Sequence, residues 1–195
     1  MYSKQCSDGA VGNHELYITD IAYETFNQFS KVYGDKYVTS NVQIINPATG
    51  QFEYVGKPYR YFTTQHGKSR SILLNFAVIL ILSKGLRIMA FGVLYDFKGN
   101  SNVSKVIKAA DLVKEKAFLD AVNYPKPIDL FLLIGHNPAR MNDSENTLGT
   151  VYKTIRGAHP DTPIQAFGGH SHIRYVFLQL IMCSFLMPEQ GFRHL

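Results

Sequence analysis

Two histidines, His170 and His172, stand two residues apart in the stretch FGGHSHIR (167–174), directly after Gly168 and Gly169. Residues i and i+2 of an extended backbone point to the same side, so imidazoles placed this way can face one metal centre. The two glycines let the backbone turn sharply and approach an ion or a phosphate with no side chain in the way. On its own, such a motif is more often a glycine turn carrying two surface histidines. Two further stretches shift that balance. GNHE (12–15) lies near the start of the chain, and LIGHN (133–137) closes the apolar run DLFLLI. Four of the seven histidines, His14, His136, His170 and His172, fall in these three places.

These residues need elements to hold them. PIQAF (163–167) is short and mostly apolar, as a buried strand is, and DLFLLI reads the same way. Both histidine motifs therefore follow strand ends, where open α/β sheets bind ligands. After GNHE, the apolar residues Ile18, Ile21, Phe26, Phe29 and Val32 recur at helical spacing. They predict a helix from about Glu15 to Tyr33, ended near Gly34, with Asn13 as its N-cap. Its free N–H groups and dipole would favour a phosphate beside the motif.

The rest of the chain alternates strand and helix. Strands are expected over 37–45, in one or two pieces over 52–65 around Gly56 and Pro58, and over 86–97. The stretch 46–51 reads as a turn, as does 66–69, where His66 is a surface residue. Helices are expected over 106–122 and from Ser144 to Gly157, and His159 is read as structural. The apolar run 71–82 is expected to be a buried strand, and the apolar tail 175–187 a strand or buried helix. A bilayer takes about 20 apolar residues, so no stable membrane span is expected. Alternation of this kind argues for the α/β class.

Composition agrees with one globular domain: 195 residues, 46% hydrophobic and 18% charged. The net charge of +5 suits an anionic substrate. Lys57, Arg60, Lys68 and Arg70 interleave with Tyr59, Tyr61 and Phe62, but no nucleic-acid motif accompanies them, and a solvated hairpin face is the preferred reading. Cys6 and Cys183 have neither metal-type spacing nor partners for a disulfide framework. The first residues lack the apolar core of a signal peptide, and the compartment stays open.

Taken in order, GNHE, then Gly-His after a strand, then GGHSH resemble the motifs of the calcineurin-like metallophosphoesterase family. GNHELY and GGHSH are most similar to its 5′-nucleotidase branch, fungal members especially. The resemblance runs to about Arg174. It implies an incomplete calcineurin-like αββα sandwich of the α/β class with motifs at strand ends. Residues 1–174 would form a partial metallophosphoesterase domain and 175–195 an apolar tail. It also implies a metal-dependent phosphoesterase acting on phosphate monoesters such as nucleotides. In that chemistry two divalent ions about 4 Å apart clamp the phosphate and activate a hydroxide. Asn13, His136 and His170 would bind one ion and His172 the other, while His14 would sit beside the phosphate as the catalytic residue. Imidazole nitrogen and amide oxygen suit zinc, manganese or iron. Asp129 or Asp161 would fix a ligand ring from behind.

Departures from the family pattern set a second expectation. Its Asp-x-His and Gly-Asp-x-x-Asp motifs are not in this sequence, and neither is the nucleotide-specificity domain. The branch often has an acidic residue facing the catalytic histidine where this chain has Tyr17. The chain is therefore expected to be a fragment or altered gene product, with residues 73–82 and the tail as intruding sequence. The alternative function is a catalytically impaired product holding at most one metal or anion. A third reading is a membrane-associated or partner-binding protein using the runs 72–82 and 175–187. A sheet edge left open would invite self-association.

Overall fold

The computed structural model describes residues 9–64, 85–138, 146–170 and 176–179, the last as backbone alone. His66, His172, Ser144 and the apolar run 71–82 lie outside the described residues.

Two sheets organise these residues. The larger has five strands in the order β3–β4–β6–β7–β8: β3 (Arg60–Thr63), β4 (Arg87–Gly92), β6 (Leu130–Ile134), β7 (Ile164–Phe167) and β8 (Val176–Gln179). β4, β6 and β7 run parallel, and β3 and β8 flank them antiparallel. The smaller sheet is antiparallel, in the order β2–β1–β5: β1 (Val42–Ile45), β2 (Phe52–Tyr54) and β5 (Ser104–Val106). The expected α/β class is what is found.

Alternation builds the main core. Met89 pairs with Phe131 and Phe91 with Leu133, so these apolar residues share one face of the large sheet. That face packs against α3 (Ala109–Leu112), α4 (Lys116–Val122) and α5 (Leu148–Ala158). α5 presents Leu148, Val151 and Ile155 at spacings of three and four. Each such buried side chain contributes about 1.5–3 kcal/mol of transfer free energy. The start of α5 is held by the Asn146 carboxamide oxygen, which accepts the Gly149 N–H at 3.0 Å. Its end is held by Arg156, whose Nη1 donates to the carbonyls of His159, Pro160 and Thr162. His159 is structural: its Nε2 lies 2.7 Å from the Val122 carbonyl, and its ring packs on Phe131.

The sheets meet at Ser40, Asn41 and Gly92. Ser40 N–H donates to the Gly92 carbonyl, and Asn41 bonds both backbone groups of Leu94 and the carbonyl of Ile107. A Cβ on Gly92 would stand 1.8 Å from the Val38 carbonyl oxygen, so only glycine permits the crossing.

Several expected elements differ. The helix after GNHE begins only at α1 (Thr19–Glu24), passes through a π turn (Thr25–Phe29) and ends as α2 (Ser30–Tyr33). Ile18 is extended and breaks it from the motif. Asn13 is helical at φ −74° and makes no cap bond, so it is not an N-cap. The π turn shifts the 3.6-residue repeat, and Ala22, Thr25, Phe26 and Ser30 are the buried residues. Ile18, Ile21, Phe29 and Val32 face outward, Val32 at 84% exposure. Residues 106–122 hold the end of β5 and two short helices, because the Asp96 carboxylate accepts the Ala109 N–H and restarts the chain there. The strand over 37–45 is regular only in β1, since Tyr37 and Val38 make isolated bridges.

Candidate metal and phosphate site

Three loops leave the carboxyl ends of the parallel strands β4, β6 and β7 side by side. Tyr95 N–H donates to the His136 carbonyl at 3.1 Å, Gly135 N–H to Phe167 at 3.0 Å, and Gly169 N–H to Asn137 at 3.0 Å. The ladder thus continues past the strands and fixes the loops against each other. Gly135 is required, since a Cβ there would lie 2.2 Å from the Val93 carbonyl oxygen.

This brings His136 and His170 together. His136 Nε2 lies 3.1 Å from His170 Nδ1, and their ring centres are 5.0 Å apart. The ring of Tyr95 lies 4.4 Å from that of His170. Gly168 and Gly169 do not take the sharp turn. His170 itself does, at φ +67°. Its backbone is left-handed rather than extended.

The GNHE motif folds as a 3-10 turn over His14–Leu16, with the Leu16 N–H bonded to the Asn13 carbonyl at 3.1 Å. Leu16 is fully buried and anchors it. The Glu15 carboxylate reaches back to the Gly12 N–H at 3.0 Å, the reciprocal half of a capping box. Its charge and, more strongly, burial push the Tyr37 phenol above its ordinary range. A Cβ on Gly12 would stand 2.9 Å from Glu15 Oε2 and 3.2 Å from His136 Nδ1. The bare backbone therefore seats the motif against His136.

Asn13 comes next in the chain. It is 3% exposed, and its Nδ2 donates to the Tyr17 hydroxyl at 2.6 Å. Its Oδ1 is buried with no hydrogen-bond partner. An orphaned buried carbonyl oxygen costs about 1–3 kcal/mol unless a donor or cation meets it. His14 is exposed and stands edge-on to Tyr17, ring centres 5.2 Å apart.

These donors fit a divalent ion. Two nitrogens each about 2.1 Å from one ion, at angles near 90–110°, lie roughly 3.0–3.4 Å apart. The separation of His136 Nε2 and His170 Nδ1 falls in that interval. The same spacing serves an N–H···N hydrogen bond. Among the described residues no group of three His, Cys, Asp or Glu side chains could hold a metal ion, and Asn13 Oδ1 is a buried oxygen in the neighbouring motif that no donor meets.

Neither expected ring-orienting carboxylate serves. Asp129 is engaged by Arg87, whose Nε and Nη2 both bond it, and this pairing holds its carboxyl below the usual range. It precedes β6, at the end of the strand opposite His136; Asp161 precedes β7 in the same way and is exposed. Sequence reading also missed Tyr95 and Asn137. Asn137 is fully buried and clasps Thr147, donating to its hydroxyl and accepting its N–H. The one available signal was that both lie at strand ends beside the motif.

A solved structure, the crystal structure of 5′-nucleotidase from Candida albicans SC5314, superposes with a TM-score of 0.71 at 35% identity, over 85% of this chain and 26% of that one. The fold is 5′-nucleotidase-like. A secreted protein of Arthroderma benhamiae is 59% identical over 165 residues, which is 85% of this chain and 22% of that protein. An uncharacterized protein of Schizosaccharomyces pombe is 37% identical over 164 residues, or 84% of this chain and 24% of its own length. The chain thus spans about a quarter of the length of these relatives. No protein-family model matches it. Among the described residues no helix is long and apolar enough to cross a membrane.

Proposed function

We propose that this chain supplies one half of the metal centre of a phosphate-monoester hydrolase of the calcineurin-like metallophosphoesterase lineage, 5′-nucleotidase branch. The observation that carries it is the approach of His136 Nε2 to His170 Nδ1, beside a motif whose Asn13 Oδ1 is buried and unpartnered. The likeness to a 5′-nucleotidase supports a nucleotide-type substrate. Asn13, His136 and His170 would hold the ion. Bound there, zinc, manganese or iron would neutralise phosphate charge and acidify a bound water. His14, exposed beside the site, would hydrogen-bond a phosphoryl oxygen and give its proton to the leaving oxygen. His172 would serve a second ion, together with ligands of the family's Asp-x-His type.

The impaired reading keeps its place because Asn13, His136 and His170 would hold one ion, not two. Metal analysis of the purified chain, with hydrolysis of a nucleoside monophosphate followed as manganese or zinc is added, tests both. One ion per chain with no hydrolysis fits the single site. Two ions and a metal-dependent rate lost in His14→Ala would establish the full enzyme. No bound metal sinks the proposal.

A further inference from the structure

We propose that Tyr17 is the positioning residue of this site, fixing the Asn13 amide with Oδ1 toward the cation and setting the His14 ring; the inference rests on the proposed function above. Asn13 has two chemically different ends. Its Nδ2 donates to the Tyr17 hydroxyl at 2.6 Å, which leaves Oδ1 directed away from the phenol with no other partner. An amide turned over would present N–H to a cation, which repels it. While the phenol accepts from Nδ2, Oδ1 is the end of the amide left to meet a cation, so the bond holds the binding orientation.

Tyr17 also touches His14, edge to face at 88°. His14 is exposed, and among the described residues this contact limits its ring. Tyr17 is itself 44% exposed and is held by rings rather than by burial. Phe97 meets it at 5.3 Å, Tyr95 meets Phe97 at 5.7 Å, and His170 meets Tyr95 at 4.4 Å. This row of aromatic rings joins the GNHE turn to the β7 loop. Both sets of donors are thus referred to one framework, with Tyr17 as its link to Asn13 and His14.

The test is Tyr17→Phe in the full chain, which keeps the ring row and removes only the oxygen. Calorimetric titration with zinc or manganese should show affinity about 10–100-fold weaker than the wild type at unchanged stoichiometry. Affinity unchanged within about twofold overturns the proposal. A second readout needs no metal: exchange of the Asn13 side-chain N–H protons by NMR. They should be protected in the wild type and exchange faster in Tyr17→Phe, and equal rates overturn the proposal. A wild-type chain that binds neither ion sinks the metal site instead, and the exchange rates then still decide whether Tyr17 holds Asn13.

Discussion

His136 Nε2 and His170 Nδ1 lie 3.1 Å apart although 34 residues separate them. The approach follows from parallel pairing of β6 with β7, in which Ile134 sits opposite Phe167 and both motifs leave the sheet at one level. Each imidazole is thus placed by a ladder of backbone bonds rather than by its own loop. Rigid placement of this kind lowers the cost of gathering ligands around an ion.

Removing either ring should abolish binding at this site. His136→Ala and His170→Ala are each expected to weaken zinc or manganese binding by more than about 100-fold, beyond what outer partners of a ligand command. Calorimetric titration measures it. Full-strength binding in either variant would place the ion elsewhere.

The backbone at His170 makes a separate prediction. At φ +67° its Cβ crowds the neighbouring peptide, a strain of about 1–2 kcal/mol that glycine lacks. Glycine's greater freedom in the unfolded chain returns part of that. His170→Gly should therefore be more stable than His170→Ala by about 1 kcal/mol, although both lose the imidazole. Urea unfolding of the metal-free variants decides it. Equal midpoints would mean the loop relaxes around the new residue.

How much of this was legible in the sequence depended on whether a signal was local. Strands β4, β6 and β7 announce themselves as apolar runs, and the histidine motifs end two of them, so the sheet end at which His136 and His170 stand could be read. Gly34, at φ +55°, stops the helix where its type foretold. The apolar spacing of Ile18, Ile21, Phe29 and Val32 misled, because a π turn rotates those residues outward and periodicity carries no mark of it. Asn13 looked like a cap because asparagine before a helix usually is one. Its side chain is instead engaged by Tyr17, a contact fixed by the break at Ile18. Asp129 looked available until its partner Arg87, 42 residues away, was in place.

At Gly12 the GNHE turn packs against His136. An added methyl would press on the free end of Glu15 and on the His136 ring at 3.2 Å. Glu15 can swing aside, but His136 is tied through its carbonyl to Tyr95. Gly12→Ala should therefore cost no more than about 2 kcal/mol of stability while displacing the ring and weakening metal binding. A crystal structure of the variant checks the displacement. An undisturbed ring with unchanged affinity would contradict it.

At the opposite end of β6, Asp129 accepts Arg87 Nε at 2.8 Å, Nη2 at 2.5 Å and the Arg87 backbone N–H at 2.8 Å. The guanidinium bond is the largest reason its carboxyl stays ionised below the ordinary value of 3.8. A carboxylate depressed in the folded state adds stability above its unfolded pKa and loses it as pH falls through the folded one. The pair is partly exposed, so its worth at neutral pH is small. Arg87→Leu should lower stability slightly at neutral pH. The difference should narrow below about pH 3.8, as Asp129 takes up its proton and the wild type loses the bond. Urea unfolding of both proteins across the acid range measures the gap. A gap that stays constant into strong acid would mean that Asp129 owes nothing to Arg87, and that the two strands are held at this end by their backbone pairing alone.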